Sequence, residues 1–535
     1  MSGKHDRFLK WALIASVMIL FFSLGHRALW DPDEGRYAEM AREVLVLNDW
    51  VTPHLNYLLY FEKPMMHIWL LAISFKVLGI SEWAARLVSI VAALGGAALT
   101  GLLAWKMWGQ RAGLIAALSL LTSAEYFILA NVVDINITLT LFITGAMVFF
   151  WLGQEEKKPW YFLLSWASMA LAVLTKGPIG VILPGGAIFL YILFTRQFRL
   201  IRESRPVSGM LLFLAIALPW YILVSLKNPD FFSFFFINQN ISRYASSDEH
   251  NKPFYFFLTV IAGGAMPWAF LLPSMIRKTW VQGMSKEVIY ILTWFFVILL
   301  FFTPSHSKLA TYILPCFSPL ALMAGYVFKD HTEKERSAFF AACAFWVFLG
   351  AALTLFPSLV SAGLFEPSSV SLTPLMHIGP LAGAIVILGS VLGVWLGRRY
   401  DIAGGFAVLG ITVMIVGTVF SPQWDEQRST KDLVEGLPPD ARLCTFARYY
   451  QSSSFYAKRQ VVLVDAAGEL EYGIRKNTDA SKVMTLDGLS RLMGSDSKTY
   501  CIITANNLSL FRSEIPRSVV TKQVKNFCLM NVPSG

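Results

Sequence analysis

The sequence predicts an α-helical polytopic membrane protein with about thirteen transmembrane helices, interfacial helices in its first outer loop, and a small C-terminal α/β domain outside the bilayer. Three observations carry that prediction. Apolar residues come in long blocks, the short loops between blocks are basic at every second turn, and the composition changes after Phe420. Only 15% of the 535 residues are charged, against 55% hydrophobic, whereas soluble domains carry about a quarter charged residues. Blocks such as Ala12 to Leu24, Leu211 to Leu226 and Leu381 to Leu396 lack the spacing of two or 3.6 that a half-buried strand or helix would show. A bilayer-spanning helix needs about 20 mostly apolar residues, and many windows qualify.

The first span lies near 10–29; no small-residue cleavage site follows it, so it reads as a span and not as a signal peptide. The segment 68–79 is short and reads as a re-entrant or interfacial helix. Further spans lie near 84–104, 113–130, 137–152, 160–174, 179–195, 208–226, 255–274, 288–303, 309–328, 337–356, 377–397 and 402–420. Lys4, Arg7 and Lys10 precede the first span, and alternate loops then carry Lys106 and Arg111, Lys157 and Lys158, Arg196 to Arg205, Arg277 to Lys286, Lys329 to Arg336, and Arg398 with Arg399. Positive charge marks the cytoplasmic side, so the N-terminus is cytoplasmic and an odd number of crossings leaves the tail outside. The net charge of +10 is this topology signal. No basic stripe interleaved with aromatics is present, which argues against a nucleic-acid partner.

Two domains follow: 1–421, a membrane domain that includes an outer loop 30–67, and 422–535, an outer domain entered through Ser421-Pro422. Gln460–Val464 and Tyr500–Thr504 read as strands, Asp487–Met493 as a helix. Cys444, Cys501 and Cys528 lie on the oxidising side, where any two could pair and leave the third free. Cys316 and Cys343 fall in apolar spans and read as core filler.

The outer loops concentrate the chemistry. Asp31, Asp33 and Glu34 precede Arg36, and Tyr60-Phe61-Glu62-Lys63-Pro64 closes the same loop. Asp31 before Pro32 is also a plausible helix N-cap. Asp134 ends one span, and Lys176 sits in an otherwise apolar hairpin. Arg243, Tyr244, His250 and Lys252 share the loop 228–254, and Lys308 precedes Tyr312. A lone member of this set reads equally well as a structural ion pair or a snorkelling side chain. Together, basic groups on the outer side run against the topology rule and need an anionic partner there. Lysine, arginine and tyrosine donors suit phosphate, while carboxylates suit a metal, a base or sugar hydroxyls. A phosphate leaving group carried on a lipid meets both demands.

The combination of Asp31-Pro32-Asp33-Glu34-Gly35-Arg36-Tyr37-Ala38-Glu39, Tyr60-Phe61-Glu62-Lys63-Pro64, Thr175-Lys176-Gly177 and Ser307-Lys308-Leu309-Ala310-Thr311-Tyr312-Ile313-Leu314-Pro315 resembles the lipid A aminoarabinose transferases. These are C-type, polyprenyl-phosphate-dependent glycosyltransferases, a superfamily that includes the protein O-mannosyltransferases. The resemblance reaches Gly468-Glu469-Leu470-Glu471-Tyr472-Gly473 in the tail. It implies transfer of aminoarabinose from undecaprenyl phosphate to a lipid A phosphate at the periplasmic face of the bacterial inner membrane, among membrane lipids. It further implies Asp33, Glu34 and Asp134 as catalytic carboxylates. Arg36, Tyr60, Lys63, Lys176 and Tyr312 would contact the donor phosphate, with Arg243 and Lys308 beside them. Glu62 matches a metal-contacting glutamate, so a divalent metal such as zinc is a possible cofactor. Relatives often carry Glu-His before the Arg-aromatic pair, where this chain has Gln239-Asn240; it must use His250 instead or bind no metal. Two rivals remain: a sister enzyme with galactosamine, a hexose or a protein hydroxyl as substrate, and a lipid transporter. The one-sided charges and the absence of repeated halves speak against the transporter.

Overall fold

A computed structural model describes residues 2–235, 252–329, 335–363, 374–476, 482–495 and 498–532. Its contacts divide the chain into two compact units: Met1–Leu24 with Arg86–Phe420, and Gly25–Ala85 with Ser421–Gly535. The outer loop that the sequence attaches to the membrane domain thus clusters with the C-terminal segment.

The first unit is helical. Among the described residues, seven helices are long and apolar enough to cross a membrane: Glu82–Trp108, Ile135–Glu156, Pro206–Lys227, Ala310–Val327, Arg336–Ser361, Pro374–Arg399 and Ile402–Trp424. Two bent pairs join them, Gln110–Leu121 with Ala124–Ala130 at 67°, and Phe256–Gly264 with Trp268–Gln282 at 107°. A break inside a bilayer frees backbone groups that lipid cannot satisfy. Here the two breaks serve each other: Ala124 N–H donates to the Met266 carbonyl at 3.1 Å, and Trp268 Nε1 donates to Thr122 Oγ1 at 2.8 Å. Pro267, which has no N–H, stands at the sharper bend.

Elsewhere small residues set the spacing. A Cβ on Gly383 would lie 2.3 Å from the Gly350 carbonyl of the neighbouring helix, so only glycine allows this approach. Buried hydroxyls find partners across helices, as with Thr144 and Ser318 at 2.8 Å and Tyr290 O–H donating to the Met147 carbonyl at 2.6 Å. Cys316 and Cys343 are buried thiols in this unit, as their apolar setting suggested.

The second unit contains a short hairpin, β1 (His54–Leu55) with β2 (Leu58–Leu59), and a six-stranded sheet. The sheet strands are β3 (Arg442–Phe446), β4 (Val462–Val464), β5 (Val483–Met484), β6 (Thr499–Thr504), β7 (Val519–Val524) and β8 (Phe527–Asn531), in the order β5-β4-β3-β6-β8-β7. The first four are parallel and the last two pairings antiparallel. Strand order reverses between β3 and β6, and in such sheets the carboxyl ends of the strands at the reversal form a natural crevice. The expected strands and the expected helix are present, the helix as Leu486–Ser495. Helix Met66–Leu78 has 13 residues, about 20 Å, short of a crossing as its sequence suggested. Cys444 and Cys501 stand opposite each other on adjacent strands; both are buried free thiols, as is Cys528.

Candidate active site

In the second unit, the first outer loop packs on the segment that follows β3. Pro32 precedes helix Asp33–Leu47, whose first turn carries Asp33 and Glu34 at the positive end of the helix dipole. Asp31 does not cap this helix, as its place before Pro32 suggested. Its carboxylate instead accepts from Ser452 N and Ser452 Oγ, both at 2.6 Å. Burial pushes Asp31 up to about 6, against the downward pull of those Ser452 bonds. Gly35 makes the approach possible, since a Cβ there would stand 2.4 Å from Ser452 N.

Arg36 is the centre of this cluster. Its Nε lies 2.8 Å from Glu469 Oε2 and its Nη1 donates to Asp33 Oδ1 at 3.0 Å. Tyr60 O–H lies 3.2 Å from Glu62 Oε2 and 3.2 Å from Glu469 Oε2. Burial raises the Tyr60 phenol well above its ordinary value, so it keeps its proton and serves as a donor. Gln451 Nε2 donates to the other Glu469 oxygen. Lys63 is half-buried beside these residues in sequence. Asp33 is open to solvent, its side chain 47% exposed. Glu34 differs from its neighbour: it is fully buried, bound to Arg27 and to Trp30 N–H at 3.0 Å. A buried carboxylate in an ion pair anchors the loop, and that is the setting of Glu34.

In the first unit, a second cluster forms at the outer ends of the helices. Asp134 caps helix Ile135–Glu156, accepting from Asn136 N–H at 2.6 Å, and is buried. Asn136 Oδ1 takes a hydrogen bond from Lys176 Nζ, which also lies 4.4 Å from the centre of the Tyr312 ring. Lys176 ends helix Pro159–Lys176; Gly177 follows at φ 90°, a conformation open to glycine, so the chain can turn back at once into Pro178. Gly180 completes the hairpin, with no room for a Cβ against the Ala172 backbone. Lys308 is buried and donates to the carbonyls of Ser305 at 2.6 Å and Lys252 at 3.1 Å. These bonds brace the loop before Tyr312. Arg243 and His250 lie outside the described residues, as do Gln239, Asn240 and Tyr244.

Four residues join these clusters that the sequence did not single out as site residues: Glu469, Gln451, Asn136 and Glu125. Glu125 lies within reach of the Asp134 charge. A lone carboxylate inside an apolar span was the available signal for it. Among the described residues, no three His, Cys, Asp or Glu side chains group as metal ligands. Glu62 accepts from the Tyr60 hydroxyl at 3.2 Å.

The comparisons with known proteins agree along the chain. The dolichyl-phosphate-mannose-protein mannosyltransferase family matches residues 62–223, and the aminoarabinose transferase C-terminal domain matches residues 430–531. The undecaprenyl phosphate-alpha-4-amino-4-deoxy-L-arabinose arabinosyl transferase of Edwardsiella ictaluri is 31% identical over 499 residues, covering 87% of each chain. The protein of that same description from Aeromonas hydrophila is 35% identical over 341 residues, 62% of each chain. The crystal structure of ArnT from Cupriavidus metallidurans bound to undecaprenyl phosphate superposes with a TM-score of 0.85 at 26% identity, over 100% of this chain and 99% of that one.

Proposed function

Because this chain belongs to the undecaprenyl phosphate-aminoarabinose arabinosyl transferase family, we propose that it transfers 4-amino-4-deoxy-L-arabinose from undecaprenyl phosphate to a phosphate of lipid A. It is a multi-pass enzyme of the inner membrane, with its C-terminal domain in the periplasm. Thirteen crossings fit this reading. The 21-residue helix Ser2–Phe22 and the helices Pro159–Lys176, Ile179–Thr195 and Lys286–Phe302, of 18, 17 and 17 residues, add to the seven long helices and two bent pairs. Helices of 17 or 18 residues reach about 26 Å, within the range that spans a bilayer core. An odd count sends the N-terminus inward and the tail outward. In chain order this keeps a membrane domain 1–421 and an outer domain 422–535, with the loop 30–67 packed in the outer unit.

The observation that carries the reading is the Lys176 hairpin. A lysine ends a helix at an apolar turn, held by Asn136 and the Tyr312 ring, and a positioned cation there supports binding of a lipid-linked phosphate. In the reaction a lipid A phosphate oxygen attacks the anomeric carbon. A carbon–oxygen bond forms there as the bond to undecaprenyl phosphate breaks, and the electron pair leaves with that phosphate. The acceptor oxygen is already anionic at neutral pH, so the protein's work is positioning and stabilising the charge that develops on the departing phosphate. Lys176 with Tyr312 suits that role. Asp33, Glu62 and Glu469 suit the hydroxyls and the amine of the sugar. The capping bond to Asn136 N–H supports an orienting task for Asp134 and speaks against a general base, which favours a phosphate acceptor over a hydroxyl.

Purified protein incubated with labelled undecaprenyl-phosphate aminoarabinose and lipid A should yield labelled lipid A. Transfer of label to a protein hydroxyl, with lipid A untouched, would refute the assignment.

A further inference from the structure

The six-stranded sheet of the second unit carries another candidate site, at the point where its strand order reverses. The chain leaves β3 on one face of the sheet and β6 on the other: Tyr450 packs with Leu443 and Phe527, whereas Phe511 packs with Cys444 and Cys501. Ligands of open α/β sheets lie in the cleft between two such diverging exits, at the carboxyl ends of the strands. Here one wall is Ala447-Arg448 and the other is Ala505-Asn506-Asn507. Ala447 takes φ 61°, and its N–H donates to the Val464 carbonyl at 2.9 Å. A left-handed alanine costs free energy, and Arg448 directly after it is exposed. Tyr450 bridges the two walls: its ring lies 5.2 Å from that of Phe527, which pairs with Thr504, the last residue of β6.

Two hydroxyls here are unsatisfied. Among the described residues, the buried Tyr450 hydroxyl has no hydrogen-bond partner, nor has the buried Thr445 hydroxyl on β3. Thr445 is registered with Ile502, two residues before Thr504, so it shares a face with Thr504 and Phe527. A buried hydroxyl left unbonded costs stability, and a ligand oxygen would restore what is missing. Burial pushes the Tyr450 phenol up to about 12, so it keeps its proton and can both donate and accept. The Arg448 guanidinium stands 5.9 Å from the centre of the Tyr450 ring and has neither ion pair nor hydrogen bond among the described residues. The Asp31 charge reaches it, but that carboxylate already takes both Ser452 donors. An unpaired guanidinium fork suits a phosphate, and a hydroxyl that donates and accepts suits a sugar hydroxyl. The turn Phe446-Ala447-Arg448-Tyr449-Tyr450 has no glycine, so it lacks the fingerprint by which such crevices hold a dinucleotide.

We propose that this crevice binds a phosphorylated sugar, with the phosphate on Arg448 and a sugar hydroxyl on Tyr450 Oη, independently of the Lys176 cluster. The long, exposed side chain of Arg448 can swing off the ring as the ligand enters. The test is saturation-transfer NMR of the whole protein in neutral detergent, titrated with glucosamine 1-phosphate, and with inorganic phosphate and glucosamine as its two halves. Wild type and K176M should bind the sugar phosphate alike, and either half more weakly. R448Q should weaken it about tenfold, the loss of a charged hydrogen bond, and R448K should recover part of the affinity. Y450F should weaken the sugar phosphate and leave inorganic phosphate unchanged. It should also melt no lower than wild type, because the deleted hydroxyl had no bond to lose. Displacement of the probe by added lipid A would identify a lipid headgroup as the source; a probe that stays bound and stays sensitive to R448Q would identify a free sugar phosphate. Equal binding by wild type and R448Q, or loss of binding in K176M, would overturn the site. Inorganic phosphate bound as tightly as glucosamine 1-phosphate would overturn the sugar.

Discussion

Replacing Asp31 by asparagine separates the charge of this residue from its shape. In the fold Asp31 is pushed up to about 6 by burial, from an ordinary value of 3.8. At about 1.4 kcal/mol per pH unit, that gap corresponds to about 3 kcal/mol. Asp31 keeps some exposure to solvent, and screening brings the working figure to about 2 kcal/mol. The sign follows from proton binding. Between pH 3.8 and 6 the folded protein holds a proton that the unfolded chain has released, so raising the pH through this window removes stability. An asparagine side chain carries no such proton, and the loss should be absent from D31N. The two Ser452 hydrogen bonds change too, but that offset is independent of pH. Glu43, raised by burial and by Glu39 beside it, titrates in both proteins and cancels in the difference. The assay is thermal unfolding of both proteins in detergent from pH 4 to pH 7.5. The melting temperature of wild type relative to D31N should fall by a few degrees across that range, at about 2–4 °C per kcal/mol for a unit of this size. Parallel profiles would show that Asp31 is ionised throughout and that the burial argument is wrong.

Four further outcomes follow. Lys176→Met should lower kcat by about 10²–10³-fold, the usual loss for a donor aimed at developing charge, with the melting temperature held; normal turnover would remove Lys176 from the reaction. Lys63→Met should likewise depress turnover in steady-state assays while the protein still elutes as a folded species. Glu469→Gln leaves Arg36 with Asp33 as its remaining carboxylate partner among the bonds described above, and should cost about ten- to a hundredfold in kcat/KM, a loss of about 1.5–3 kcal/mol for a charged hydrogen bond; unchanged kinetics would make the pair purely structural. Gly35→Ala forces a Cβ to within 2.4 Å of Ser452 N, and should destabilise the second unit by about 1–3 kcal/mol, read as earlier proteolysis of the outer segments.

The membrane part was legible because its rules are local. Loop charge and apolar run length need no knowledge of tertiary contacts, and the spans 137–152 and 377–397 correspond to helices Ile135–Glu156 and Pro374–Arg399. The two bent spans were read as plain crossings, since Thr122-Ser123 is a weak breaker in sequence and its partner break at Pro267 is remote along the chain. Lys176 stood out as a cation in an apolar turn. Its partner Asn136 did not, because a neutral amide at a helix start resembles any capping residue. The surroundings of Glu34 and Lys308 were not legible, because they consist of what each touches: Arg27 in one case and two backbone carbonyls in the other. Spacing along a loop carries no such information. Glu469 was visible only as part of a motif, since its pairing with Arg36 joins opposite ends of the chain.

That joining has a consequence for biogenesis. Residues 25–85 leave the ribosome early, yet the surface they pack against is synthesised last. At about 5–20 residues per second, the stretch between them takes tens of seconds to make. Throughout that time Asp31 has no Ser452 and Arg36 no Glu469, so the loop waits in the periplasm without its permanent partners. A chain truncated before Ser421 would insert its helices and still never assemble the Arg36 cluster.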